Sequence, residues 1–174
     1  MIFMLNKNYS IILITTIIIM LVIIVLFSFS AYTLELRTFP DNELIFKRKV
    51  NVGDEFTLKY THSVACTPVW EIFMIDENYQ LKLIETDFLD HGAGLPYAAF
   101  GEEVFTIEKD KFKITNMNRI IYTPFYYRIG KIRENIIYFK DEGGVNLSSL
   151  VGDKLLTLDI YKKNLLNDFL GGIF

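Results

Sequence analysis

Apolar and polar residues alternate along most of the chain after residue 31. Tyr32, Leu34 and Leu36 are interleaved with Thr33, Glu35 and Arg37. That period of two fits a strand with one face toward a core. Leu44 to Val50 forms a second run, closed by Asn51-Val52-Gly53-Asp54. Phe56 to Val64 and Val69 to Ile75 read as a hairpin across Ala65 to Pro68, followed by the turn signal Asp76-Glu77-Asn78-Tyr79 and a strand through Leu81 and Leu83. Val104 to Ile107 and Phe112 to Thr115 flank Glu108-Lys109-Asp110-Lys111, a further hairpin. Arg119 to Tyr127, Ile129 to Ile132 and Ile136 to Phe139 continue the pattern, and Leu155, Leu158 and Ile160 close it. Short strands at even spacing with polar turns predict an all-β fold, an antiparallel sandwich or barrel. Only Lys162 to Leu170 has helical periodicity, with Leu165, Leu166, Phe169 and Leu170 on one side.

The first thirty residues break this pattern. Ile11 to Phe29 carries no charge and is mostly Ile, Leu, Val and Met, close to the roughly 20 residues a helix needs to cross a bilayer. Lys7 precedes the run, whereas Glu35 and Arg37 follow it. This bias predicts a single-pass anchor with a cytoplasmic N-terminus and an extracytoplasmic remainder at the cell membrane. A cleaved signal peptide is the competing reading, with Ser28-Phe29-Ser30 as its small-x-small site. The expected organisation is an anchor over residues 1–31 and an exported β-domain over 32–174.

Charge narrows the partners. The chain has 18 Lys and Arg against 21 Asp and Glu, so setting Lys7 aside leaves 17 basic residues and a net charge near −4. With no basic stripe, a nucleic-acid partner is not expected. Cys66 is the single cysteine, so no intrachain disulfide forms and the domain depends on its core.

Candidate chemistry gathers in the first hairpin. With Ala65 to Pro68 as the loop, the facing pairs are Val64/Val69, His62/Glu71, Tyr60/Phe73 and Leu58/Ile75. His62/Glu71 is then the one ionisable pair on an apolar face, and it must be hydrogen-bonded or it destabilises the fold. It is either a polar lock or the start of a site. Ser63 neighbours His62 on the strand and so points to the opposite face, which prevents His62 from activating it. Trp70 shares the phase of Ser63. A metal-dependent or acid–base hydrolase centred on His62 and Glu71 is the alternative function, with His91, Asp90 or Glu85 as further oxygen and nitrogen donors. No cofactor is expected. Downstream, Gly92-Ala93-Gly94-Leu95-Pro96 forms a stiff loop able to adopt positive φ. The loop is either a tight structural turn or an amide cradle for an anion such as a small carboxylate.

Tyr60-Thr61-His62-Ser63-Val64, Thr67-Pro68-Val69-Trp70-Glu71 and Gly92-Ala93-Gly94-Leu95-Pro96 together resemble the bacterial domain of unknown function numbered 1850. The resemblance covers about residues 33–95, and His91 is not part of its pattern. Members are small exported proteins typically found beside tripartite (TRAP) transporters of the TAXI type. The resemblance thus implies an accessory role in organic-acid uptake, with a TRAP-type permease or its solute-binding protein as partner. With the hairpin and the glycine loop taken together, His62, Ser63, Glu71, Gly92, Gly94 and Pro96 are the expected binding residues.

Overall fold

The computed structural model describes residues 7–28, 30–90, 95–96, 98–130, 134–140 and 142–164. The chain divides into two units, residues 1–32 with 162–174, and Thr33–Tyr161.

The first unit carries helix α1 (Lys7–Ser28), 22 residues and about 33 Å long. Every side chain from Ile17 to Val25 is apolar and exposed, so the apolar surface runs all round the helix rather than along one stripe. Its hydroxyls turn inward: Thr15 and Thr16 donate to Ile12 O at 2.8 and 2.9 Å, and Ser28 to Ile24 O at 2.7 Å. The described side chains are unbroken only over residues 9–25. Among the described residues no helix is long and apolar enough to cross a membrane, so the expected span does not follow from them. In the same unit Ser30 Oγ donates to Asn164 Oδ1 at 3.2 Å.

The strands are β1 (Ser30–Phe39), β2 (Leu44–Val50), β3 (Glu55–Thr61), β4 (Pro68–Ile75), β5 (Leu81–Phe88), β6 (Val104–Glu108), β7 (Lys111–Thr115), β8 (Arg119–Ile121), β9 (Phe125–Arg128), β10 (Asn135–Phe139), β11 (Glu142–Asn146) and β12 (Leu155–Asn164), with helix α2 (Leu147–Val151) before the last; from Thr33 to Tyr161 they belong to the second unit. They form a four-stranded sheet, β2-β1-β12-β9, and an eight-stranded sheet, β11-β10-β3-β4-β5-β7-β6, with β8 also paired to β5. Pairs in the larger sheet run antiparallel. Rings bridge the sheets: Phe46 to Phe139 at 5.4 Å, Phe125 to Phe73 at 6.2 Å and Tyr127 to Tyr60 at 6.2 Å. The sheets are not closed on themselves, so the sandwich holds and the barrel does not. Leu34, Leu36, Leu58, Phe73, Ile75 and Phe88 are buried between them, each stabilising the fold by about 1.5–3 kcal/mol.

Two expectations shift. The expected helix from Lys162 begins as strand, since Lys162 to Asn164 belong to β12, and residues 165–170 lie outside the described residues. The run Arg119 to Tyr127 breaks into β8 and β9 at the cis Thr123–Pro124 bond, because proline cannot donate to a ladder. The turn signals hold: Asp76 Oδ1 accepts from Asn78 N and Gln80 N, both at 2.8 Å, an Asx turn in which Tyr79 takes φ +57°.

Candidate functional site

The first hairpin turns earlier than its pattern suggests, and through a longer loop. Thr61 faces Pro68, Tyr60 faces Val69, Leu58 faces Glu71 and Phe56 faces Phe73. The loop is therefore His62 to Thr67, six residues, rather than Ala65 to Pro68. The expected His62/Glu71 pair is not formed. His62 stands four residues beyond the partner of Glu71, roughly 13 Å along the strand. The slip is even, so both sequence faces stay where alternation put them.

Within the loop His62 is committed to the backbone. Its Nδ1 accepts from Val64 N at 3.3 Å and Ala65 N at 3.1 Å. Its own N–H donates to Thr67 O at 2.8 Å, and Cys66 N donates to His62 O at 3.0 Å. Cys66 adopts φ +55° to close the turn and is exposed as a free thiol. Ser63 is exposed on the loop. Imidazole Nδ1 is thus a turn acceptor, its one lone pair shared between two backbone amides.

Glu71 sits on the inner face of β4, between Leu58 of β3 and Thr86 of β5. Tyr60 Oη donates to its Oε1 at 3.3 Å. Burial pushes the Glu71 carboxyl above its usual range, and the Tyr60 bond pulls it back only in part. The same burial, with the Glu71 charge nearby, raises the Tyr60 and Tyr127 phenols. Tyr127 from the opposite sheet meets the Tyr60 ring edge-on and donates to Asn135 Oδ1 at 3.0 Å. Asn135 faces Tyr60 across β10 and β3. Its side-chain amide donates to Ser148 Oγ at 3.0 Å, and Ser148 Oγ donates to Gly130 O at 3.1 Å. A polar chain therefore crosses the sandwich from α2 to the Tyr60 and Tyr127 rings, beside the Glu71 carboxyl.

Sequence reasoning located Glu71 and Tyr60 on the inner face but missed Tyr127, Asn135 and Ser148. The available signal was Asn135, a polar side chain in phase with inward Ile137 and Phe139. Trp70 lies on the outer face, between Lys59 and Asp87, with the Lys111 ammonium 5.0 Å over its ring. Glu85 and Glu71 point to opposite faces, Glu85 pairing with Lys113 at 2.8 Å. Among the described residues no three His, Cys, Asp or Glu gather to hold a metal ion. Pro96 is half-buried beside buried Leu95. Gly92, Gly94 and His91 lie outside the described residues, and the carboxylate cradle expected there lies with them.

The polar chain ties strands together, and a carboxyl held on the interior by one phenol is suited to bracing or to proton exchange. The model of the domain of unknown function DUF1850 matches residues 56–143 of this chain, a span that contains Tyr60, His62, Glu71, Tyr127 and Asn135. No curated protein and no solved structure matches.

Proposed function

Because the chain belongs to the DUF1850 family, we propose that it is a membrane-anchored extracytoplasmic binding protein, accessory to a TAXI-type TRAP system for organic-acid uptake. The observation that carries the anchor is α1. Nine consecutive apolar side chains, Ile17 to Val25, stand exposed around the whole helix, and the sequence stays uncharged through Leu26, Phe27, Ser28 and Phe29. A helix apolar on all sides calls for an apolar surround, which a bilayer supplies. The single Lys7 before the run favours an inside N-terminus. The β-unit supports binding over chemistry. Glu71 is held by Tyr60 and His62 by its own turn, so both act as scaffold and recognition falls to the surface.

Two experiments test this reading. Full-length protein with a C-terminal tag should stay in the membrane pellet through alkaline carbonate washing. Its tag should be cut by protease added to spheroplasts. Release into the wash, or a protected tag, overturns the anchor. Purification from native cells in mild detergent should recover TRAP permease subunits, and deletion of the gene should slow uptake of the acid they carry. Permease that is absent from the eluate and transports normally after deletion sinks the accessory role and leaves the anchor standing.

A further inference from the structure

Strand β6 ends the eight-stranded sheet and, among the described strands, is paired on one side only, by β7. An end strand presents unpaired N–H and C=O groups to any chain that can add to it, and natural edges are usually blunted by lysine, proline or a bulge. The end strand β2 of the other sheet carries Lys47, Arg48 and Lys49. β6 has none of these devices. Its sequence is Val-Phe-Thr-Ile-Glu, its register with β7 runs from Val104↔Thr115 to Glu108↔Lys111 without a shift, and Val104 and Ile107 are 48% and 64% exposed. An apolar row also leads out to it on the inner face. Phe88 stacks on Phe112 at 5.5 Å and Phe112 on Phe105 at 6.1 Å, and Ile107 lies opposite Phe112.

We propose that β6 pairs antiparallel with β6 of a second copy of this chain, about Thr106, joining two sheets into one. The segment is self-complementary in that register. Phe105 faces the second copy's Ile107 and Ile107 its Phe105, so the apolar row continues across the junction. Thr106 faces the second copy's Thr106, a polar pair at the centre. The neighbouring registers lose this match. Centring on Phe105 sets Ile107 against Glu103, and centring on Ile107 sets Phe105 against Lys109, so each breaks the apolar row at a charge. Residues opposite each other in an antiparallel pair lie about 4.5–5.5 Å apart at Cα, within the span of a disulfide.

Site-directed crosslinking of full-length protein in mild detergent, in a Cys66→Ser background, reads the register directly. Thr106→Cys should give a disulfide dimer under mild oxidation. Val104→Cys alone should not, since its two copies lie roughly 13 Å apart. A mixture of Val104→Cys and Glu108→Cys copies should crosslink as the mixed dimer. Adding Ile107→Lys to Thr106→Cys should cut the dimer yield roughly tenfold, because a charge then faces Phe105. Ile107 is exposed in the single chain, so this variant folds. No Thr106→Cys dimer, equal crosslinking at Val104 and Thr106, or a yield unchanged by Ile107→Lys overturns the pairing.

Discussion

Glu71 and Tyr60 form a buried pair whose worth can be measured by a double-mutant cycle. Glu71→Leu removes the acceptor and leaves the Tyr60 hydroxyl, already deprived of water, without its bond. Tyr60→Phe removes the one hydroxyl bonded to Glu71 among the described residues. Leaving a buried polar group unpaired costs about 1–3 kcal/mol, whereas removing both partners together is close to neutral. Each single variant should therefore lose about 1–3 kcal/mol. The double variant should lose less than the sum, with a coupling near 1 kcal/mol, since the bond is long at 3.3 Å. Urea unfolding of each variant gives the four free energies. The pH dependence has a definite sign. Burial raises the Glu71 pKa in the folded state, so the folded chain binds its proton more tightly than the unfolded chain does. The contribution of Glu71 is full below the unfolded carboxyl pKa, about 4.3, and is lost as pH rises through the folded value. Glu71→Gln keeps an acceptor for Tyr60 and cannot ionise. It should gain stability relative to the natural chain as pH rises, and Tyr60→Phe should lose most at the higher pH. An additive cycle, or a Glu71→Gln difference that is flat with pH, would refute the pairing.

Two further changes probe the frame around this pair. Gly144→Ala places a Cβ 2.8 Å from Ile136 Cγ2 and closer still to the Tyr138 ring, so it should destabilise by about 1–3 kcal/mol; a thermal midpoint equal to that of the natural chain contradicts this. His62→Ala removes the acceptor for Val64 N and Ala65 N and should cost about 0.5–1.5 kcal/mol. His62→Asn restores part of it through an Asx turn, and hydrogen exchange at those two amides reports the loss and the recovery.

The alternation of side chains determined much of this protein by itself. It set the strands, the turn at Asp76 to Tyr79 and the inner faces carrying Phe56, Leu58, Tyr60, Glu71 and Phe73, because pleat and burial both have a period of two. The same arithmetic is blind to an even slip. Moving β3 against β4 by four residues returns every side chain to its own face, so no pattern could choose between His62 and Leu58 as the partner of Glu71. Loop chemistry chose, through the positive φ of Cys66 and the bonds of His62 to its own turn. The partners of Glu71 and Tyr60 from distant strands were equally out of reach. Tyr127 and Asn135 come beside Tyr60 only when β9 of one sheet packs over β3 and β10 of the other. Where a core is mostly apolar, sequence fixes which residues turn inward. Which polar groups meet there depends on how two sheets are laid together, and that is decided by packing across the whole sandwich.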